Sequence, residues 1–508
     1  MLWPRATPPL YWIDFVVTKT LLLRLKGKST TLLWALDYRA LAILRMSYGL
    51  ILILDLADRA KDLASHYTDL GVAPRHFVIE HDWNPAYWSL HMMSGHWSFQ
   101  LALFAVAGFA ATCLTFGYYT KISSFTSWIF LTSLQTRNPM VLDGGDIYLR
   151  VVLFFCLFLP WGQRWSVDAT RGMLTGAPVG SSYCGMAGVA YQLQLSLIYW
   201  FAAILKTGEE WRCEGSAVQY ALMIDQLTTP LAGLLLANPA IMRALTYACL
   251  AFEYLGPLLF WLGGFARLAG VVGFCLMHIG FASFMHLGIF ALVGASSTVG
   301  LLPGFFWDWL GQKSISRQCG GLLRLVLEKW PLAGAGSLVD TFPARPRMVL
   351  LVSLMLYLVL WNLRTIPGVS LPLPEGPGRF LRLDQRWSMF APRPLVEDGW
   401  YIIEADRLDG TKVDIFRGGA SVNFDKPDCV ATMYTNARWR KLMMNLWMRD
   451  LSNWRLPYAR YLTRQWNGTH GGNYRVSGFK IYFMLEQSLP DGEVRPPEKV
   501  LLWTHSCL

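Results

Sequence analysis

Apolar residues in this chain fall into long blocks separated by short polar joints, at about 40–57, 97–117, 122–137, 148–162, 188–206, 241–263, 268–284, 286–303 and 347–364. A helix needs roughly 20 consecutive apolar residues to cross the hydrocarbon core of a bilayer. The pattern therefore predicts a polytopic bundle of about nine transmembrane helices, although several blocks are short for an upright span. The seventh and eighth blocks almost fuse around Met285 and His286 and could form one tilted helix. Two stretches do not fit the span pattern. Leu10 to Leu25 is interrupted by Asp14, Lys19 and Arg24, which suits an interfacial amphipathic helix and not a cleavable signal peptide. Residues 215–238 are apolar but carry Asp225 and Pro230, and read as a re-entrant or interfacial piece.

The pattern changes after the last block. From about 374 the chain is polar, and alternation with a period of two appears around Asp-Gly turns. Trp400 to Glu404, Asp409-Gly410 and Lys412 to Phe416 read as strand, turn, strand. Phe479 to Met484, Asp491-Gly492 and Lys499 to Thr504 repeat the arrangement, and 432–464 reads as helical. The predicted organisation is an N-terminal cytosolic or interfacial segment (1–38), an all-α transmembrane domain (39–365) and a small extracytoplasmic α+β domain (374–508).

Composition supports this. Of 508 residues, 54% are hydrophobic and only 16% charged, against about 25% charged in a soluble domain. The 23 tryptophans and 21 tyrosines suit aromatic belts at the two interfaces. The formal charge of +11 is no nucleic-acid signature, because the cations sit in short joints between apolar blocks. With nine spans and a cytosolic N-terminus, the cation-rich joints, including Lys313, Arg317, Arg324, Lys329 and Arg345, collect on the cytosolic side. The C-terminal domain then lies outside. The nine cysteines show no metal-ligand spacing, and no metal is expected. Cys429 and Cys507 lie in the polar tail and could pair if it is extracytoplasmic.

Ionisable residues inside apolar blocks need a partner or a task. Lys206 ends the run that begins at Tyr199 and precedes Thr-Gly-Glu-Glu-Trp211. Its ammonium either snorkels to the interface or sits in a protein-lined cavity, where it would be a candidate base. Glu253 lies within the sixth block, as a hydrogen-bonded structural carboxyl or a proton carrier. His278 and His286 are eight residues apart, about two helical turns, and would share a face if one helix held both. Asp143-Gly-Gly-Asp146 opens the fourth block, with Asp146 as a helix N-cap or a polar rim to a cavity. Arg45 and Asp55 are too far apart to pair along one helix, so each needs a partner elsewhere. Trp165-Ser-Val-Asp168 reads as an aromatic anchor followed by a helix cap.

Ala42-Ile-Leu-Arg45-Met-Ser-Tyr-Gly49 with Asp55, Trp165-Ser-Val-Asp168, the Tyr199–Trp211 stretch, and Met277-His278 leading to Leu287-Gly-Ile-Phe occur in the order found in the vitamin K-dependent γ-carboxylase family. Asn138-Pro with Gly144-Gly-Asp146 resembles its bacterial branch, the horizontally transferred transmembrane (HTTM) domain. The resemblance covers about 35–365. It implies oxygen-dependent chemistry in which a lysine base, here Lys206, deprotonates reduced vitamin K or menaquinone. An epoxide and a strong base form, and a glutamate carbanion takes up CO2. It implies an important histidine at His278, with Asp146, His286 and Glu253 as supporting groups. Asp146 stands where the animal enzyme has a histidine. The tail containing Gln385-Arg-Trp-Ser-Met-Phe390-Ala-Pro resembles that of some bacterial HTTM proteins and not the animal substrate-binding region.

Two functions follow. One is a quinol-dependent epoxidase or carboxylase-like lyase in a bacterial inner membrane, acting on an exported peptide or protein. The other is a non-enzymatic scaffold or maturation factor for such a partner. A transporter fits less well, because no internal repeat is visible.

Overall fold

A computed structural model describes residues 34–174, 181–312, 344–490 and 492–507. The expected interfacial helix at Leu10–Leu25 lies outside them. Every apolar block has become helix: α1 (Tyr38–Lys61), α2 (Trp97–Phe116), α3 (Thr120–Arg137), α4 (Gly144–Cys156), α5 (Met186–Leu205), α6 (Pro239–Leu262), α7 (Gly264–Phe284), α8 (Phe290–Val299), α9 (Gly304–Gln312) and α10 (Ala344–Leu363).

The expected count of nine spans is not reproduced among the described residues. Among the described residues six helices, α1, α2, α5, α6, α7 and α10, are long and apolar enough to cross a membrane. Counting α8 with α9, which meet at an 87° bend, gives a seventh. The fourth block yields only the 13 residues of α4. The third, α3, buries Ser123, Ser124, Ser127, Thr132, Ser133, Gln135 and Thr136. All of α4 after Gly144 apart from half-buried Ile147, and most of α3 from Ser127 on, are buried against protein and not against lipid, which a hydropathy pattern assumes. The seventh and eighth blocks are two helices, parted by a turn at Met285–Ile289 in which Gly288 takes φ +57°.

Burial ranks the helices. In α5, 78% of the apolar window is buried, against 28% in α6 and in α7. The central helix is therefore the one that ends at Lys206. Around it α1, α4 and α8 form the main core with Tyr48, Leu149, Val152, Tyr191, Ile198 and Val293. Arg45 is buried, and no carboxylate among the described residues forms an ion pair with it. It donates to the carbonyls of Leu114 and Thr115 at the end of α2 (2.9 and 2.8 Å) and to those of Trp161 and Trp165 (3.2 and 2.5 Å). The expected cap is present: Asp168 accepts from the Tyr119 and Thr120 amides at the start of α3, while Ser166 accepts from the Ala169 amide.

The C-terminal region matches its predicted hairpins. Strands β1 (Glu397–Arg407), β2 (Lys412–Asp414), β3 (Val476–Gln487) and β4 (Glu498–Ser506) form one antiparallel sheet in the order β2-β1-β3-β4. Helices α11 (Ala437–Trp447) and α12 (Arg455–Thr469) accompany it. Its core is shared with the membrane domain. Val72, Ala73, Val78, Met140 and Val141, from joints between membrane helices, pack with Trp400, Ile402, Leu442, Met443 and Phe483. The segment 215–238 is not a span. It carries the short helices Ala217–Leu222 and Ala232–Leu236 and reaches the sheet through Gln226, whose Nε2 donates to Asp398 of β1 (2.7 Å) and whose amide oxygen accepts from Tyr434. Cys429 and Cys507 are both free.

Candidate functional site

Helix α5 stops at Leu205, and Lys206 is the first residue with non-helical backbone. The side chain does not snorkel. Lys206 is 4% exposed, and its ammonium is paired with the carboxylate of Glu253, itself 4% exposed, from α6. The indole of Trp211 covers the ammonium at 4.6 Å. The segment after the last span folds back over this point. The Phe390 carbonyl accepts from Trp211 Nε1 (2.8 Å), and that of Pro392 from the Gly208 amide (2.9 Å). Cys249, one turn from Glu253, places its sulfur 4.0 Å from the second carboxylate oxygen.

Two turns before Lys206, roughly 10 Å along the helix, stands Tyr199. Its hydroxyl lies between that of Tyr148 on α4 (3.1 Å) and Nε2 of His278 on α7 (2.9 Å). Its ring stacks on Phe274 at 4.0 Å, and Phe274 packs against Phe252 at 4.5 Å, the residue beside Glu253. His278 is 1% exposed, packed between Phe281 and Phe290. Gly294 on α8 lets the imidazole approach, since a Cβ there would come within 2.1 Å of it. The Nδ1 of His278 is buried with no hydrogen-bond partner among the described residues. The site is thus a lysine–carboxylate pair and a Tyr148–Tyr199–His278 hydrogen-bonded chain, joined by aromatic rings.

Asp146 belongs elsewhere. The N-cap of α4 is Asp143, whose Oδ1 accepts from the Gly145 and Asp146 amides at 2.8 and 3.2 Å. Asp146 sits three residues later and completes the capping box by accepting from the Asp143 amide (2.8 Å). Its two oxygens also meet Arg59 of α1 and Arg438 of α11. Asp55 closes the ring, accepting from Arg59 Nε at 2.8 Å and Arg438 Nη2 at 2.7 Å. All four residues are at most 5% exposed. Further contacts are Arg59 to the Tyr67 hydroxyl (2.7 Å) and Arg438 to the Val141 carbonyl (2.9 Å). Beside the ring His66 packs on Trp439 with ring centres 4.4 Å apart, its pKa lowered to about 3 by burial and by the two guanidiniums.

His286 is separate again. Helix α7 ends at Phe284, so His286 lies beyond the helix and shares no helical face with His278. It is exposed and lines a cleft of about 430 Å³ between the α7–α8 turn and the C-terminal domain. Of the residues expected at the site, the structure thus pairs Lys206 with Glu253, sets His278 on the same central helix through Tyr199, and places Asp146 and His286 at two other positions. Tyr199 and Tyr148 are the additions. Tyr199 was within reach of sequence reasoning, since a spacing of seven puts it on the face of α5 that leads to Lys206. Tyr148 was not.

Compared with known proteins, residues 35–302 match the model of the HTTM domain. No curated protein and no solved structure matches the chain.

Proposed function

The chain belongs to the HTTM-domain family, and on that premise we propose that it is a membrane enzyme of the quinol-dependent, carboxylase-like type, with Lys206 as its base. The observation that carries the proposal is the enclosure of the Lys206 ammonium against Glu253, away from water. Proton transfer to Glu253 would leave Lys206 as a free amine able to take a proton from a substrate hydroxyl.

The residues fit a reduced quinone. The rings of Phe252, Phe274, Phe281 and Phe290 pack around Tyr199 and His278 and would offer aromatic contacts to a head group admitted between them, and the unpartnered Nδ1 of His278 would offer it one hydrogen bond. Bound there with oxygen, a reduced quinone would supply the strong base that the family chemistry requires. The chain's own part is to orient His278 through Tyr199, to hold the Lys206–Glu253 proton and to exclude water with Trp211 and the Phe390–Pro392 cover. The N-terminus would be cytosolic and the C-terminal domain extracytoplasmic, where an exported peptide or protein is the acceptor, with CO2 as co-substrate.

The test supplies reduced menaquinone or vitamin K and oxygen to purified protein in nanodiscs and measures quinone epoxide. Wild type should form it, and Lys206→Gln should form none while keeping a normal elution profile. Equal epoxide from both would overturn the assignment. The second reading, a non-enzymatic maturation scaffold, draws on the 430 Å³ cleft between the domains. Deleting the C-terminal region does not separate the two readings, because it also removes the cover over Lys206. Lys206→Gln does: the scaffold keeps its cellular function in that variant.

A further inference from the structure

The junction cleft has one polar wall and one apolar wall. Met285, Leu287 and Ala291 form the apolar side with Ala282, and the C-terminal domain contributes Arg440 opposite His286. Arg440 is 7% exposed and donates to the His286 carbonyl, yet no carboxylate among the described residues forms an ion pair with it. The carboxylate whose field reaches it, Asp143, has one oxygen committed to capping α4. The other cleft polar groups are committed too. Tyr434 donates to Gln226, and Asn436 caps α11 and donates to Asp62. Arg440 is therefore the cation with donors to spare.

What lies below the cleft indicates the ligand. Along α7, Val272, Leu276 and Ile279 are 47%, 62% and 57% exposed, a strip at helical spacing on the outer face of a membrane-spanning helix. Ala282, also exposed, continues that strip one turn higher and enters the cleft. The acyl surface of the bilayer thus leads directly to a guanidinium. We propose that the cleft is a binding site for an anionic phospholipid, its phosphate on Arg440 and the His286 side, and its acyl chain along Ala282, Ile279, Leu276 and Val272. A guanidinium forms a two-pronged contact with phosphate that a zwitterionic head group neutralises in part. A ligand bridging the two domains would also favour their docked arrangement.

Full-length protein, stripped of lipid in detergent, would be titrated with phosphatidylglycerol or phosphatidylcholine of matched chains, with binding read by native mass spectrometry. Wild type should retain phosphatidylglycerol about fivefold more than phosphatidylcholine, the preference expected of one cation near an anionic head group. Arg440→Gln should bring the ratio near unity. Ala282→Phe, which fills the apolar side and leaves Arg440 in place, should weaken both lipids. Equal retention of the two lipids by wild type, or an unchanged ratio in Arg440→Gln, would overturn the proposal. Displacement of the lipid by millimolar inorganic phosphate, with no loss in Ala282→Phe, would assign the site to free phosphate and overturn the lipid reading.

Discussion

Two groups of buried charge lie at helix ends in the same bundle, and they differ in completeness. At the domain junction Asp55, Arg59, Asp146 and Arg438 form a closed ring of two carboxylates and two guanidiniums, and every oxygen has a partner. At the end of α5, Lys206 has one carboxylate, and the hydrogen-bonded chain beside it ends on an unpaired nitrogen of His278. In the ring both carboxylates are matched by two guanidiniums on three elements, α1, α4 and α11, so it serves to join them. The open group keeps capacity in reserve, as a binding or catalytic site must. Charge burial alone would have ranked the two alike; completeness of pairing separates them.

The sharpest way to break this comparison is to open the ring. Arg438→Ala leaves two aspartates facing Arg59 alone. Removing one partner of a buried ion network costs about 3–5 kcal/mol. The expected outcome is a large fall in thermal midpoint, with protease cleavage spreading into residues 397–506. A variant that melts like wild type would show that the shared apolar core docks the domain without the ring.

Asp398 sharpens the same point, because it is a buried junction carboxylate with no cation among the described residues. It accepts from the Asp225 amide (2.5 Å) and Gln226 Nε2 (2.7 Å), and burial raises its pKa to about 6. The unfolded chain releases this proton near pH 4 and the folded one near pH 6. Between those values the folded state holds more protons, so stability falls as pH rises, by up to about 3 kcal/mol, and the deficit persists above pH 6. Asp398→Asn should flatten that part of the profile. Thermal melts of the full chain at pH 4.5, 5.5 and 6.5 would show it, and an unchanged slope would remove Asp398 as its source.

The C-terminal sheet was legible because alternation and Asp-Gly turns specify register locally: Asp409-Gly410 turns where expected, with Gly410 at φ +83°. Helix positions were legible for the same reason. The span count was not, since α4 and much of α3 are buried in protein, where Gln135 and Arg150 bond each other and Ser133 meets Ser89 and His91. Lys206 and His278 stood out as charges in apolar blocks. Their partners did not, because Glu253 is 47 residues from Lys206 and Tyr199 is 79 from His278. Asp146 was misplaced by the same limit, as Arg438 is 292 residues away and in another domain. Which polar residue meets which is decided by helix packing, and spacing along one helix carries no record of it.

Within the open group, Glu253→Gln keeps shape and one acceptor but removes the charge opposite Lys206. About 1–3 kcal/mol of stability should be lost, the scale of a hydrogen bond to a charged group. Epoxide formation should fall further than stability does, because glutamine cannot receive the lysine proton. Parallel melting and turnover measurements check this, and a fall in both to the same extent would recast Glu253 as a structural partner only.

Tyr199→Phe has the smallest expected effect on folding and bears most directly on whether the open group is a site. The ring and its stacking on Phe274 remain, so only the hydroxyl between Tyr148 and His278 is lost, at about 1 kcal/mol. If His278 meets a ligand through Nδ1, the Tyr199 bond at Nε2 fixes which nitrogen carries the proton and where the imidazole points. Losing it should then cost turnover about tenfold, well beyond what the small change in stability explains. If the imidazole only fills space between Phe281 and Phe290, melting will shift slightly and turnover will not. The open chain would then be as structural as the ring, and the contrast between the two groups would rest on Lys206 alone.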